Sequence, residues 1–187
     1  MQLKATVAVI LALATSALAD GKTPALAVGQ VTVYVENDKA VEIIALQRAK
    51  YLARKMFANI GVSVNWDAGK PAPRETTVTT VRLVTCVPVQ LKPGVLGYSV
   101  ISPDSAAEVF VLVPRIRKAV DPELLPTLLA HLMVHELTHV MQKVGRHSET
   151  GLMKERWTTD DYTAMARKPL AFTPIDVNMI HYRLGLQ

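Results

Sequence analysis

The pattern of apolar and polar residues changes its period along the chain and predicts a mixture of strands and helices. Residues 31–35 alternate apolar and polar side chains, as a half-buried strand does. After Asn37 or Asp38, either of which suits a helix cap, apolar residues recur three or four apart to about residue 59. A helix that Gly61 ends is therefore predicted there. Its apolar stripe comprises Val41, Ile44, Ala45, Leu52, Met56 and Ile60, and further strands are predicted at 62–66, 77–87 and 107–114.

The second half of the chain predicts a long loop followed by helices. Residues 88–104 are rich in proline and glycine and predict a loop of the kind that often shapes a substrate pocket. A strongly apolar helix follows, and Pro122 and Pro126 limit where it begins because proline fits only the first turn. The segments 158–161 and 173–176 are typical of helix N-termini, with a threonine cap and an aspartate in the first turn.

The apolar helix carries the motif His135-Glu136-x-x-His139. Residues four apart lie on one face of a helix, so both imidazoles can direct a nitrogen at one metal ion, about 2.0–2.1 Å from each. Glu136 is placed to hold a water molecule and take its proton as general base, and zinc lowers the pKa of such a water toward roughly 7. A catalytic zinc site has three protein ligands and one open position. The third candidate ligand is His147.

Other residues compete for a place in this site. His131 extends the stripe of histidines, but it lies about 12 Å from His139 along the helix axis, so we predict that it is a core residue or a partner of the ligands. The third ligand could instead be an acid, as in gluzincin-type enzymes. The candidates are Glu149, Glu155, Asp160 and Asp161, although helix capping explains the last two better. For His181 and Tyr182 on the terminal helix, packed or surface positions are favoured over a catalytic role.

At these residues the sequence resembles the metzincin-type metallopeptidases, and among them small secreted bacterial metzincin-like proteins. The resemblance rests on the HExxH motif, His147-Ser148, the Gly151-Leu152-Met153 segment and Trp157. The order of the elements is also similar, with a long helix and a strand at 61–66 before the zinc helix. The resemblance implies an α+β fold: a mixed, twisted sheet with a long backing helix, a zinc-binding active-site helix and a C-terminal helix.

The resemblance also implies roles for single residues. His135, His139 and His147 would bind Zn2+, Glu136 would be the general base, and Met153 would form the Met-turn, an apolar floor beneath the metal. The strand at 107–114 would be the antiparallel edge of the sheet, where an extended peptide substrate adds as another strand. The alternative for this strand is a buried position without a role in binding.

The spacing departs from the commonest metzincin pattern, which has a glycine three residues after the second histidine and the third histidine six after it. Here Gln142 and Gly145 occupy those positions, and His147 comes two residues later. We expect the extra length to be absorbed in the turn, where Gly145 can take the left-handed conformation that ends a helix.

The first residues are typical of a secretory signal peptide. Lys4 precedes an apolar stretch that ends in the small-x-small sequence before Asp20, and this pattern predicts cleavage after Ala19. The apolar stretch is short for a membrane-spanning anchor. We therefore predict a secreted or periplasmic protein whose residues 20–187 form a single catalytic domain.

Composition excludes some classes of partner and of fold. Cys86 is the one cysteine of the 187 residues, so the chain has no internal disulfide, and we expect this thiol to be a small buried group in the strand 77–87. The formal net charge is +5, but the basic residues are dispersed and aromatic residues are scarce. The sequence therefore predicts no nucleic-acid partner.

Together these features predict a secreted zinc endopeptidase that hydrolyses peptide bonds with metal-activated water. A zinc amidase acting on cell-wall peptides would use the same chemistry, and only the substrate separates the two. A non-catalytic zinc-binding or interaction domain is the third hypothesis, although a structural zinc site would have no need of Glu136. Specificity and oligomeric state stay open.

Overall fold

A five-stranded sheet forms the centre of the computed structural model, which describes residues 29–68, 79–101 and 106–186. The predicted signal peptide, 1–19, lies outside the described residues. The strands are β1 (Gly29–Glu36), β2 (Val62–Ala68), β3 (Thr79–Val84), β4 (Gly97–Val100) and β5 (Ala107–Leu112). The helices are α1 (Ile43–Ala58), α2 (Val113–Ala119), α3 (Leu125–Gln142), α4 (Thr159–Arg167) and α5 (Pro174–Leu184), with a 3-10 turn at Pro122–Leu124.

The strands are arranged in the order β2-β1-β3-β5-β4. The first four are parallel to one another, and β4 is antiparallel to β5. Such a sheet is mixed, as predicted, and its crossover between β1 and β2 is made by α1 because parallel neighbours need a long connection. The predicted α+β architecture is confirmed.

The edge of the sheet is a different strand from the one predicted. The resemblance implied that 107–114 is the edge, with a buried strand as the alternative. The strand β5 lies inside the sheet, between β3 and β4, and residues 113 and 114 already belong to α2. The edge strand on this side of the sheet is β4, which lies inside the segment predicted as a long loop, and β2 forms the other edge. Four residues in a stretch rich in proline and glycine are too few for a recognisable alternation, so the hydrogen bonds to β5 define this strand.

Helices α1 and α3 pack on each other and against the sheet. The buried side of α1 carries Leu46, Ala49, Ala53, Met56 and Phe57 at helical spacing. The predicted stripe was partly wrong, because Ile44 is 65% exposed. Helix α1 also begins later than predicted: the Asn37 side chain accepts the Val41 N–H at 2.9 Å and donates to its carbonyl at 2.7 Å, so a turn precedes the helix.

Two further predictions concern strand and helix ends. Cys86 was expected inside a strand, but β3 ends at Val84 and the thiol is exposed. The predicted helix starts at Thr158 and Thr173 are confirmed, because each threonine forms a reciprocal capping box with the aspartate three residues later. No helix among the described residues is long and apolar enough to cross a bilayer.

Gly97 is required where β4, β5 and α3 meet. A Cβ atom at this position would lie 2.8 Å from the Phe110 carbonyl oxygen and 3.3 Å from the Leu132 side chain. We expect Gly97→Ala to lower the free energy of unfolding by about 1–3 kcal/mol, since the strand or the helix must shift.

The measurement is urea denaturation, with Gly145→Ala as the matched control. A Cβ at Gly145 would have no atom within 4 Å, and its φ is not positive, so its effect should stay within about 0.5 kcal/mol. Equal losses in the two variants would contradict the packing explanation.

Candidate metal centre

Helix α3 is buried on all sides and nevertheless carries polar side chains. Every residue from Leu128 to His139 is buried, as expected for a helix without a polar face. The helix begins with Pro126 in its first turn, as predicted. A buried helix must supply partners for each polar atom that it carries, so its histidines depend on the segments that follow.

The helix ends at a residue other than the one predicted. Gly145 was expected in the left-handed conformation, but Lys143 adopts it, with φ of 53°. This conformation costs a non-glycine residue about 1–2 kcal/mol. It turns the chain so that Val144 meets His139 twice, since its N–H donates to the His139 carbonyl and its own carbonyl lies 3.0 Å from the imidazole Nδ1.

Three imidazoles converge at the end of α3. One ring nitrogen from each of His135, His139 and His147 lies within 4.8 Å of the other two. The first two are about 5% exposed and come from the helix, whereas His147 is exposed and comes from the loop after it. The two extra residues of this loop therefore still allow the third ring to reach the other two.

Hydrogen bonds define which nitrogen of each buried ring is free. Nδ1 of His135 lies 3.0 Å from the Leu152 carbonyl, and Nδ1 of His139 lies 3.0 Å from the Val144 carbonyl. A carbonyl only accepts, so each Nδ1 carries the proton and each Nε2 presents a lone pair. Burial favours the neutral rings: it lowers the pKa of His135 to about 4 and also lowers that of His139.

The two free nitrogens face each other at 3.1 Å. With both protons on Nδ1, no hydrogen is left to bridge these lone pairs, so a cation between them is the natural partner. Two ligands of a tetrahedral ion at 2.0–2.1 Å would be about 3.3 Å apart. Carbonyl-bound imidazoles are also the usual form of metal-ligating histidine. The residues present thus fit a metal ion that prefers nitrogen ligands.

Glu136 follows His135 directly on α3 and is 6% exposed. Burial raises the pKa of its carboxyl group to about 7, and a hydrogen bond from the Ser99 side chain acts in the opposite direction. Ser99 belongs to β4, so the sheet edge and the helix meet at this carboxylate. The sequence did not single out Ser99, because this residue lies in a segment predicted as a loop, where no pattern distinguishes it from other serine residues.

The Gly151-Leu152-Met153 segment forms a tight turn against the first histidine. The Leu152 N–H donates to Ala171 at 2.9 Å, while its carbonyl accepts from His135. Gly151 has φ of 74°, and a Cβ there would lie 2.4 Å from the Ala171 oxygen, so only glycine fits. Met153 is fully buried; its role as the floor of a metal site stays a prediction.

The remaining candidates lie apart from the cluster. His131 is fully buried in the core, as predicted. His181 Nε2 contacts the Ile60 carbonyl at 2.6 Å, and Tyr182 is 67% exposed. No acidic residue joins the three histidines in the described part of the chain, so a downstream carboxylate ligand gains no support. The four acids considered were Glu149, Glu155, Asp160 and Asp161, of which the last is bound to Thr158 and Lys154.

Solved structures of other proteins show a fold similar to this one. The described architecture is similar to archaemetzincin from Methanopyrus kandleri, with 15% sequence identity over 84% of this chain and 96% of the other, and a TM-score of 0.50. Metalloproteinase-II from Bacteroides fragilis gives 11% identity over 76% and 53% of the two chains and a TM-score of 0.41. The ECX AB5 holotoxin in its GM1-bound form gives 10% identity over 83% and 80%, and 0.46.

No protein-family model and no curated protein matches the sequence. At this low identity the archaemetzincin structure supports the fold alone. The chain therefore has a metzincin-like fold, and three of its histidines lie together at the end of α3.

His131 makes the stability of the protein depend on pH. Its Nδ1 lies 2.7 Å from the Thr127 carbonyl and its Nε2 accepts the Leu170 N–H at 3.1 Å, so the ring is neutral. Burial lowers its pKa in the folded protein. The unfolded chain therefore binds the proton first. The contribution of the neutral His131 ring to stability is fully present above pH 6.5 and is lost as the pH falls below that value.

We expect wild type in EDTA to lose more stability between pH 8 and pH 5 than His131→Gln, whose amide does not titrate. The difference should not exceed about 1.4 kcal/mol per pH unit, the slope of one proton. Urea denaturation at several pH values measures it. Identical pH slopes in the two proteins would show that folding does not change the pKa of His131.

Proposed function

We propose that the protein is a secreted, zinc-dependent endopeptidase. The observation that carries this proposal is the combination of three converging imidazoles with a buried carboxylate, Glu136, which follows the first of these histidines on α3. A structural zinc site uses four protein ligands and needs no such carboxylate, whereas a catalytic site keeps one position open. Secretion is supported by the signal-peptide pattern of residues 1–19.

The catalytic chemistry divides between the metal and Glu136. His135, His139 and His147 would hold zinc, which when bound acidifies water and polarises a carbonyl group. Glu136 would take the proton of the attacking water and later give it to the leaving amine. A general base works best with a pKa near the working pH, and burial brings the carboxyl group of Glu136 close to that range.

We expect an extended peptide substrate to bind along β4, at the edge of the sheet. Among the described residues, β4 pairs with β5 on one side only, and exposed edges accept a further strand through backbone hydrogen bonds. Ser99 of β4 also bonds Glu136. A peptide added along β4 would therefore pass beside the proposed base, and this strand replaces 107–114 as the proposed substrate-binding edge.

The ligand set can be tested without a substrate. We expect the wild type to bind one zinc ion per chain and His147→Ala to bind zinc about ten-fold or more weakly, because an imidazole ligand is lost. Competition with a chromophoric chelator measures the affinity. Glu149→Ala is the matched control, since it removes the exposed acid two residues further on and should bind zinc like the wild type. Unchanged affinity in His147→Ala would contradict its role as third ligand.

The catalytic step is tested with Glu136→Gln, which keeps the size of the side chain but cannot accept the proton. We expect it to bind zinc and to cleave a diverse peptide mixture at least about 100-fold more slowly than the wild type. Mass spectrometry of the products gives both rate and side-chain preference. Equal cleavage by the two proteins would refute the mechanism. Zinc binding without cleavage by the wild type would favour a cell-wall amidase or a binding protein.

A further inference from the structure

His147 is the ligand whose position the helix does not determine. It lies in the loop between α3 and the turn at 151–153, and its ring is exposed. The other two rings are each held by a carbonyl oxygen. Within the described residues no hydrogen bond reaches the ring of His147, so the backbone on either side of it must hold the ring in place.

The two neighbours of His147 are fixed by one carboxylate. Ser148 Oγ lies 3.0 Å from Oδ1 and 3.1 Å from Oδ2 of Asp176. Arg146 forms an ion pair with Oδ1 of the same carboxylate. The guanidinium group also donates to Ser148 Oγ at 3.3 Å and to the His147 carbonyl at 3.2 Å. Asp176 is fully buried, and a buried charge needs such partners.

Asp176 is itself held by two helices. Its Oδ2 accepts the N–H of Thr173 at 3.1 Å and the hydroxyl of Thr173 at 2.7 Å, which closes the capping box of α5. Its carbonyl oxygen accepts the Gln142 amide at 3.2 Å, in the last turn of α3. The loop that carries His147 is thus tied to the ends of α3 and α5.

These contacts coincide with the departure from the usual spacing. Gln142 stands where the commonest pattern has glycine, and Arg146 lies in the lengthened segment before His147. Both residues bind Asp176. We propose that Asp176 is a positioning residue: through Arg146 and Ser148 it holds His147 beside the other two imidazoles and so raises the affinity of the metal site. This inference rests on the zinc site of the proposed function.

The test is the zinc affinity of Asp176→Asn and Ser148→Ala, measured by chelator competition on folded protein. Ser148→Ala removes one hydroxyl and leaves the ion pair, so it serves if Asp176→Asn does not fold. We expect each to bind zinc about 10- to 100-fold more weakly than the wild type, and Ser148→Thr to restore the affinity.

Thr173→Ala is the matched control. It removes the hydroxyl that caps α5 but leaves Oδ1 of Asp176 bound to the loop, so zinc affinity should change by less than about two-fold. A loss as large as that in Ser148→Ala would mean that the stability of α5, and not the contact with the loop, sets the affinity, and would overturn the inference.

A double-mutant cycle with His147→Ala tests whether the effect passes through His147. In that background, Asp176→Asn and Ser148→Ala should change zinc affinity by less than about two-fold, because the ligand that they position is gone. An equal loss with and without His147 would overturn the inference, as would wild-type affinity in the single variants, and neither result would affect the proposed function. A wild type that binds no zinc would overturn the proposed function and this inference with it.

Discussion

The demand of buried imidazoles for hydrogen-bond partners organises the C-terminal half of this protein. Helix α3 buries three histidines, and an unpaired buried polar group costs about 1–3 kcal/mol. One ring uses the carbonyl of Thr127 in its own helix, and the other two use Leu152 and Val144 beyond it. The turns after α3 fold back to bring these carbonyls to the helix.

The same contacts orient the imidazoles of His135 and His139. Because each Nδ1 of His135 and His139 donates to a carbonyl, both Nε2 lone pairs point at one place. The apolar surroundings that keep these rings neutral also raise the pKa of Glu136. One property, burial on a helix without a polar face, therefore keeps the two imidazoles neutral and brings the pKa of the Glu136 carboxyl group to about 7.

The lengthened loop shows how a fold absorbs a change in spacing. Two extra residues before the third histidine lengthen an exposed loop. A longer loop needs contacts with another part of the chain to hold its position, whereas a short tight turn would not. The chain supplies the anchor from a distant element, since Asp176 at the start of α5 bonds both neighbours of His147. From the sequence, Asp176 was correctly interpreted as a helix cap. The sequence alone does not distinguish an aspartate that only caps a helix from one that also binds a distant loop.

The sequence alone determined the features that depend on local spacing. The HExxH pair, the capped starts of α4 and α5 and the strands β1 and β2 follow from periodicity and from residues three or four apart, and the structure agrees. Tertiary structure decided what depends on distant partners. The edge role of β4 comes from its pairing with β5, the left-handed Lys143 from the contact of Val144 with His139, and the place of Ser99 from packing against α3. A hydrogen bond across the fold leaves no period in the sequence, so only the folded chain reveals it.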